Sequence, residues 1–166
     1  MRVYGEIVNG SQKTLILALA MLLLLSACGG NYPADPYGTL QRATGGSLRV
    51  GVAQNEPFTS VVGSRPSGLE VDLIREYAER IGAEVQWETD GEDDLMEELS
   101  HGELDVVIGG ITEHTPWKTE VGLTNPYATT TNAGGEQEKH VLAIRKGENA
   151  FLMDLERFLE GKELPI

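Results

Sequence analysis

Cysteine occurs once in this chain of 166 residues, at Cys28, so no internal disulfide and no thiolate-based zinc site can form. The three histidines, His101, His114 and His140, fall on different predicted elements without metal-ligand spacing, and neither a metal nor another cofactor is expected. No serine-centred elbow, phosphate-binding loop or dinucleotide fingerprint is present, so no catalytic residue is assigned. Basic residues are scarce: 13 Lys and Arg stand against 26 Asp and Glu, a formal net charge of −13. Such a surface repels nucleic acid and anionic lipid, and it biases the chain against anionic solutes. Long hydrophobic runs are lacking too. The longest, Leu15 to Leu25, falls well short of the ~20 residues that a membrane-spanning helix needs.

That short run has another reading. Arg2 and Lys13 precede it, and it ends in Leu25-Ser26-Ala27-Cys28 followed by Gly29-Gly30. The ending resembles the lipobox of bacterial lipoproteins, in which small residues suit a peptidase and the thiol receives lipid. Residues 1–27 are therefore expected to be a signal peptide, with Cys28 the lipidated first residue of a protein anchored outside the cytoplasmic membrane. Residues 28–46, with Pro33, Pro36 and little apolar periodicity, read as a flexible tether. The folded part is expected over 47–166, a length that suits one core.

Leu48-Arg49-Val50-Gly51-Val52 has strand composition between turn residues. Val71, Ile74, Ala78 and Ile81, with Leu73 and Tyr77 alongside, mark one face of a helix that Asp72 helps start and Gly82 ends. Ala83 to Glu88 alternates as a strand, and Asp93 or Asp94 opens a second helix closed near Gly102. Leu104 to Ile108 is an apolar run of the kind a buried parallel strand has. Strand, helix, strand, helix, strand with short connections predicts an α/β lobe whose mainly parallel sheet carries helices on both faces. Ligands in such sheets sit beyond the carboxyl ends of the strands: here Asn55–Phe58, Thr89–Glu92 and Gly109–Thr112. Residues 128–138 read as a polar linker. Lys139 to Arg145 then reads as a return strand, and Asn149 as the cap of a C-terminal helix carrying Phe151, Leu152, Leu155, Phe158 and Leu159.

The ordered series SLRVGVAQNEPF, GLEVDLIREYAERIG, LMEELSHGELDVVIGGIT and VGLTNPY resembles the first lobe of the family 3 extracellular solute-binding proteins. These are two-lobed receptors that present amino acids and similar polar solutes to importers. The resemblance implies that the second lobe would be inserted at the 128–138 linker, with the return strand and last helix completing the first lobe. Alternatively, Val141 to Arg145 is the outgoing hinge strand of a truncated chain. It also implies that Phe58, in the Asn55-Glu56-Pro57-Phe58 loop, presses an aromatic ring against the ligand; a loop ring folded onto the core is the alternative. Glu56 is a candidate for a ligand ammonium. Gly109-Gly110-Ile111-Thr112 would hold a ligand carboxylate through backbone groups and the Thr112 hydroxyl, or would simply be a turn.

The chain departs from the family at one decisive position. Five residues beyond Thr112 the family has an arginine that grips the carboxylate bidentately; here Trp117 stands there, followed by Lys118. An indole has one donor and no charge, and an ammonium binds only as a point charge. The acid that the second lobe supplies to the ligand's ammonium has no candidate segment. Phe58, Trp87, Trp117 and Tyr127 could instead cage an organic cation. The expected function is thus a lipid-anchored, non-enzymatic receptor lobe of the amino-acid importer type for a small polar or cationic solute. Asn55, Phe58, Gly109, Gly110, Thr112, Trp117 and Lys118 are its candidate site, and a transporter subunit its candidate partner. The rival is a scaffold lipoprotein whose strand-end face docks a transporter or another membrane protein.

Overall fold

A computed structural model describes residues 34–63 and 65–162. The expected signal peptide, Cys28 and the first part of the tether lie outside the described residues. Five strands form the main sheet: β1 (Ser47–Val52), β4 (Glu84–Thr89), β5 (Val106–Ile108), β6 (Gly122–Leu123) and β9 (Ala143–Ile144), in the order β4-β1-β5-β9-β6. β1 runs parallel to β4 and β5, while β9 returns antiparallel between β5 and β6. The crossovers are α2 (Leu69–Ile81) and α3 (Glu92–His101). This is the α/β lobe that the alternating pattern predicts. No described helix is long and apolar enough to cross a membrane.

Side chains alternate across a strand, so each buried strand feeds two cores. Val50, Val52, Val106 and Ile108 face one, with Ile74 and Tyr77 of α2 and Phe151 and Leu155 of α4 (Asn149–Leu159). Val107 and Leu104 face the other, with Leu95, Met96 and Leu99 of α3. Gly51 lies between β4 and β5 where a Cβ would come 2.7 Å from Leu104. Gly82 ends α2 at φ 68°, a conformation that glycine adopts without steric cost, and its N–H closes back on Ala78 and Glu79.

Three expectations need correction. Residues 34–46 are not tether: they include a short helix, α1 (Thr39–Ala43), whose Thr39 and Ala43 are buried. Polar composition hid this because the segment is held by charged caps rather than by an apolar stripe. Second, Asn149 makes no side-chain cap for α4. The Asp35 carboxylate caps it instead, accepting from the N–H groups of Ala150 (2.8 Å) and Phe151 (3.0 Å). Glu148, fully buried, reciprocates by accepting from the N–H groups of Tyr37 (3.0 Å) and Thr39 (2.8 Å) at the start of α1. Arg42 of α1 also pairs with buried Asp105, which Arg49 of β1 holds at 2.6 Å.

Third, residues 128–138 are not an unstructured linker, nor is 139–145 one strand. β7 (Ala128–Thr131) and β8 (Gln137–His140) pair as an antiparallel hairpin, and only Ala143–Ile144 joins the main sheet. A smaller hairpin pairs β2 (Ser60–Val62) with β3 (Arg65–Ser67).

Asp35→Ala removes the N-terminal cap of α4 and is expected to cost about 1–2 kcal/mol, lowering Tm by about 2–8 °C. Thermal melting of the protein checks this; an unchanged Tm would mean that residues 34–43 are not fastened to α4.

Candidate functional site

The stripe that buries α2 begins with a charge. Glu70 stands four residues before Ile74 and seven before Tyr77, on the same helical face, and like them it is fully buried. Its Oε2 accepts from the N–H groups of Gly109 (2.7 Å) and Gly110 (3.0 Å). Its Oε1 accepts from the buried Tyr127 hydroxyl. Burial pushes the Glu70 carboxyl above its usual 4.5, and the Tyr127, Gly110 and Gly109 donors pull it partly back. The same burial, with the Glu70 charge beside it, pushes the Tyr127 phenol up.

This carboxylate holds the loop after β5 in place. Gly110 has φ 66°, and a Cβ there would come 2.6 Å from both the Asn55 amide nitrogen and the Phe58 ring. Only glycine allows that approach. Asn55 donates to the Gly109 carbonyl at 2.8 Å, which binds the loop after β1 to the loop after β5. The Phe58 ring lies 4.3 Å from the His140 ring, tilted by 36°.

The β7–β8 hairpin joins this loop as a further strand. Thr112 forms a bridge opposite His140, the Glu113 N–H donates to the Lys139 carbonyl, and the Val141 N–H donates to the Ile111 carbonyl. His140 is buried, with Nδ1 3.2 Å from the Gly110 carbonyl and Nε2 2.8 Å from the Thr130 hydroxyl. A carbonyl only accepts, so Nδ1 is the donor to Gly110. Opposed residues share a face. Thr112, His140, Thr130 and Glu138 therefore line one face of a three-stranded ribbon, and Glu113 and Lys139, paired at 3.3 Å, line the other.

The structure thus brings together Asn55, Phe58, Gly109, Gly110 and Thr112. The Gly109 and Gly110 N–H groups are taken by Glu70, and Phe58 is only 7% exposed, folded onto His140. Exposed Glu56 accepts from the Ser60 hydroxyl at 2.8 Å. Trp117 and Lys118 lie apart on a 3₁₀ turn, Pro116–Thr119. The Trp117 indole donates to Asp93 at 3.1 Å and rims a shallow depression of about 360 Å³ with Asp93, Pro116 and Glu120. Lys118 is exposed, with no ion pair among the described residues. No aromatic cage is assembled: Trp87 packs with the α2 core under Arg75, Trp117 packs with the α3 core, Phe58 meets His140 and Tyr127 meets Glu70.

The profile of the bacterial extracellular solute-binding proteins, family 3, matches residues 48–162, most of the chain. The chain belongs to that family. A probable histidine-binding protein of Campylobacter jejuni is 30% identical over 111 residues, which is 66% of this chain and 43% of that protein. A membrane-bound lytic murein transglycosylase F of Vibrio parahaemolyticus is 30% identical over 103 residues, 61% of this chain but 19% of the enzyme. The family 3 chain thus spans less than half the length of these relatives. Among solved structures, the arginine-bound form of domain 1 from TmArgBP superposes with a TM-score of 0.64 at 30% identity, covering 74% of this chain and 98% of that one. This confirms a family 3 α/β lobe of first-domain type.

Sequence reasoning misses Glu70, His140, Thr130 and Glu138 as parts of this site. The first carries a legible signal, a carboxylate on an otherwise apolar helical stripe. The others depend on a hairpin pairing that alternation alone does not reveal in a polar segment.

A raised carboxyl value in the fold means that the folded protein holds the proton more tightly than the unfolded chain. Glu70 therefore subtracts stability as pH rises from its ordinary 4.5 through its raised folded value. Glu70→Gln keeps an acceptor for the two glycines and is expected to flatten the decline in denaturant stability as pH rises above the ordinary 4.5. Glu70→Ala orphans two buried N–H groups and a phenol and is expected to cost roughly 3 kcal/mol or more. Parallel pH profiles for wild type and Glu70→Gln would refute this assignment.

Proposed function

We propose that this lobe is a receptor for a small amino-acid-type solute carrying positive charge, held weakly on the strand-end face and passed to an importer. The observation that carries the reading is the TmArgBP first domain, a solitary lobe of the same fold with arginine bound. Other relatives lean the same way. One is a probable histidine-binding protein. The net charge of −13 favours a cation.

Weak binding follows from Trp117. The family's bidentate arginine would give two charge-assisted bonds worth roughly 1.5–3 kcal/mol each. An indole turned to Asp93 supplies neither. Selectivity then rests on the positive end of the solute rather than on its carboxylate.

The lipid anchor at Cys28 belongs to the same reading. Such an anchor would keep the lobe at the surface of the membrane that holds the importer. The lobe would bind its solute without catalysing a reaction.

Thermal melting against arginine, lysine, histidine, glutamine, glutamate and an alkylammonium salt, each near 10 mM, tests this. A solute with Kd near 1 mM should stabilise by about 1.4 kcal/mol, a Tm rise of about 3–6 °C, for the cationic members only. A flat panel on a cooperatively melting protein would sink the receptor and favour the docking scaffold.

A further inference from the structure

The ribbon face next to the strand ends carries a half-buried carboxylate, Glu138, without a counter-ion among the described residues. Glu138 of β8 stands opposite Thr130, whose hydroxyl touches His140, and His140 stands opposite Thr112. Strand alternation sends Lys139, the neighbouring cation, to the reverse face, where it pairs with Glu113. On the face opposite Lys139, Glu138 Oε1 accepts from the Asn132 amide at 3.1 Å, an amide that exposed Glu136 also reaches at 3.5 Å. Among the described residues Oε2 has no hydrogen-bond partner, and no Lys or Arg lies within ion-pairing distance of Glu138. Glu138 is half-buried, as are Thr130 and Thr112.

We propose that Glu138 is the residue that takes the cationic group of the solute, an ammonium or guanidinium, with the Thr130 and Thr112 hydroxyls beside it. The inference rests on the receptor reading above and adds the selecting residue. A half-buried carboxylate accepts charge-assisted hydrogen bonds that are stronger than neutral ones, and a threonine hydroxyl accepts a further donor from the same cation. The His140–Gly110 and Glu70–Gly110 bonds keep this face in fixed relation to the loop after β5, so the carboxylate is pre-positioned rather than loose.

Calorimetric titration of the protein with arginine, agmatine and citrulline tests the inference, with Glu138→Gln beside wild type and Glu97→Gln as a charge control on the exposed side of α3. Glu138→Gln should weaken arginine and agmatine at least about tenfold, whereas Glu97→Gln should leave both unchanged. If citrulline weakens equally, Glu138 takes the α-ammonium; if citrulline is spared, it takes the guanidinium; both support the inference. Equal arginine affinity in wild type and Glu138→Gln, or an equal loss in Glu97→Gln, overturns it while the receptor reading stands. No arginine, agmatine or citrulline binding by wild type overturns both. Melting curves of the unliganded variants confirm that each is folded.

Discussion

Three stretches far apart in the chain meet at one buried carboxylate. Glu70 begins α2, Gly109 and Gly110 follow β5, and Tyr127 precedes the β7–β8 hairpin. A charge costs much to bury unless its acceptors are filled, and here two backbone N–H groups and a phenol fill them. The loop after β5 is consequently tied to the helix that packs under the sheet. Tyr127 extends the tie: its N–H donates to the His140 carbonyl, so the hairpin is set against the same loop. Remove the carboxylate and the three pieces lose their common reference, although the two apolar cores that flank the sheet remain.

A second polar tie fixes the ends of the lobe. Asp35 caps α4 while Glu148, just before α4, caps α1. Each helix supplies the acceptor for the other's free N–H groups, so neither end frays without exposing both. The buried Asp105, between Arg42 and Arg49, adds α1 to the central strand. Carboxylates carry a large part of the long-range order in this acidic protein.

The legibility of the sequence follows from that division. The central β–α–β–α–β series is readable because Val71, Ile74, Ala78 and Ile81 keep helical spacing and Val106 to Ile108 form an unbroken apolar strand. Glycine stops at Gly82 and Gly102 have a local cause, and both end their helices as expected. The segment 34–43 and the hairpin 128–140 are not readable in that way: their partners are single carboxylates, backbone groups and each other. Periodicity registers buried apolar surface, and these segments contribute little of it. The strand-end loops are foreseen because sheet geometry alone points there, and Asn55, Phe58, Gly109, Gly110 and Thr112 do converge. What spacing cannot foresee is that Glu70 consumes the glycine N–H groups, or that Trp117 turns to Asp93 on the α3 side. The polar face proposed for the solute lies instead on the ribbon that Thr112 shares with His140, Thr130 and Glu138.

The receptor reading stands or falls on where a cationic solute sits. Amide NMR spectra of the protein recorded through an arginine titration address that directly, residue by residue. Saturable shifts concentrated at Gly110, Thr112, Thr130 and Glu138, with Trp117 and Asp93 unmoved, are the result predicted. Shifts concentrated around Trp117, Asp93 and Glu120, or none that saturate, would contradict it.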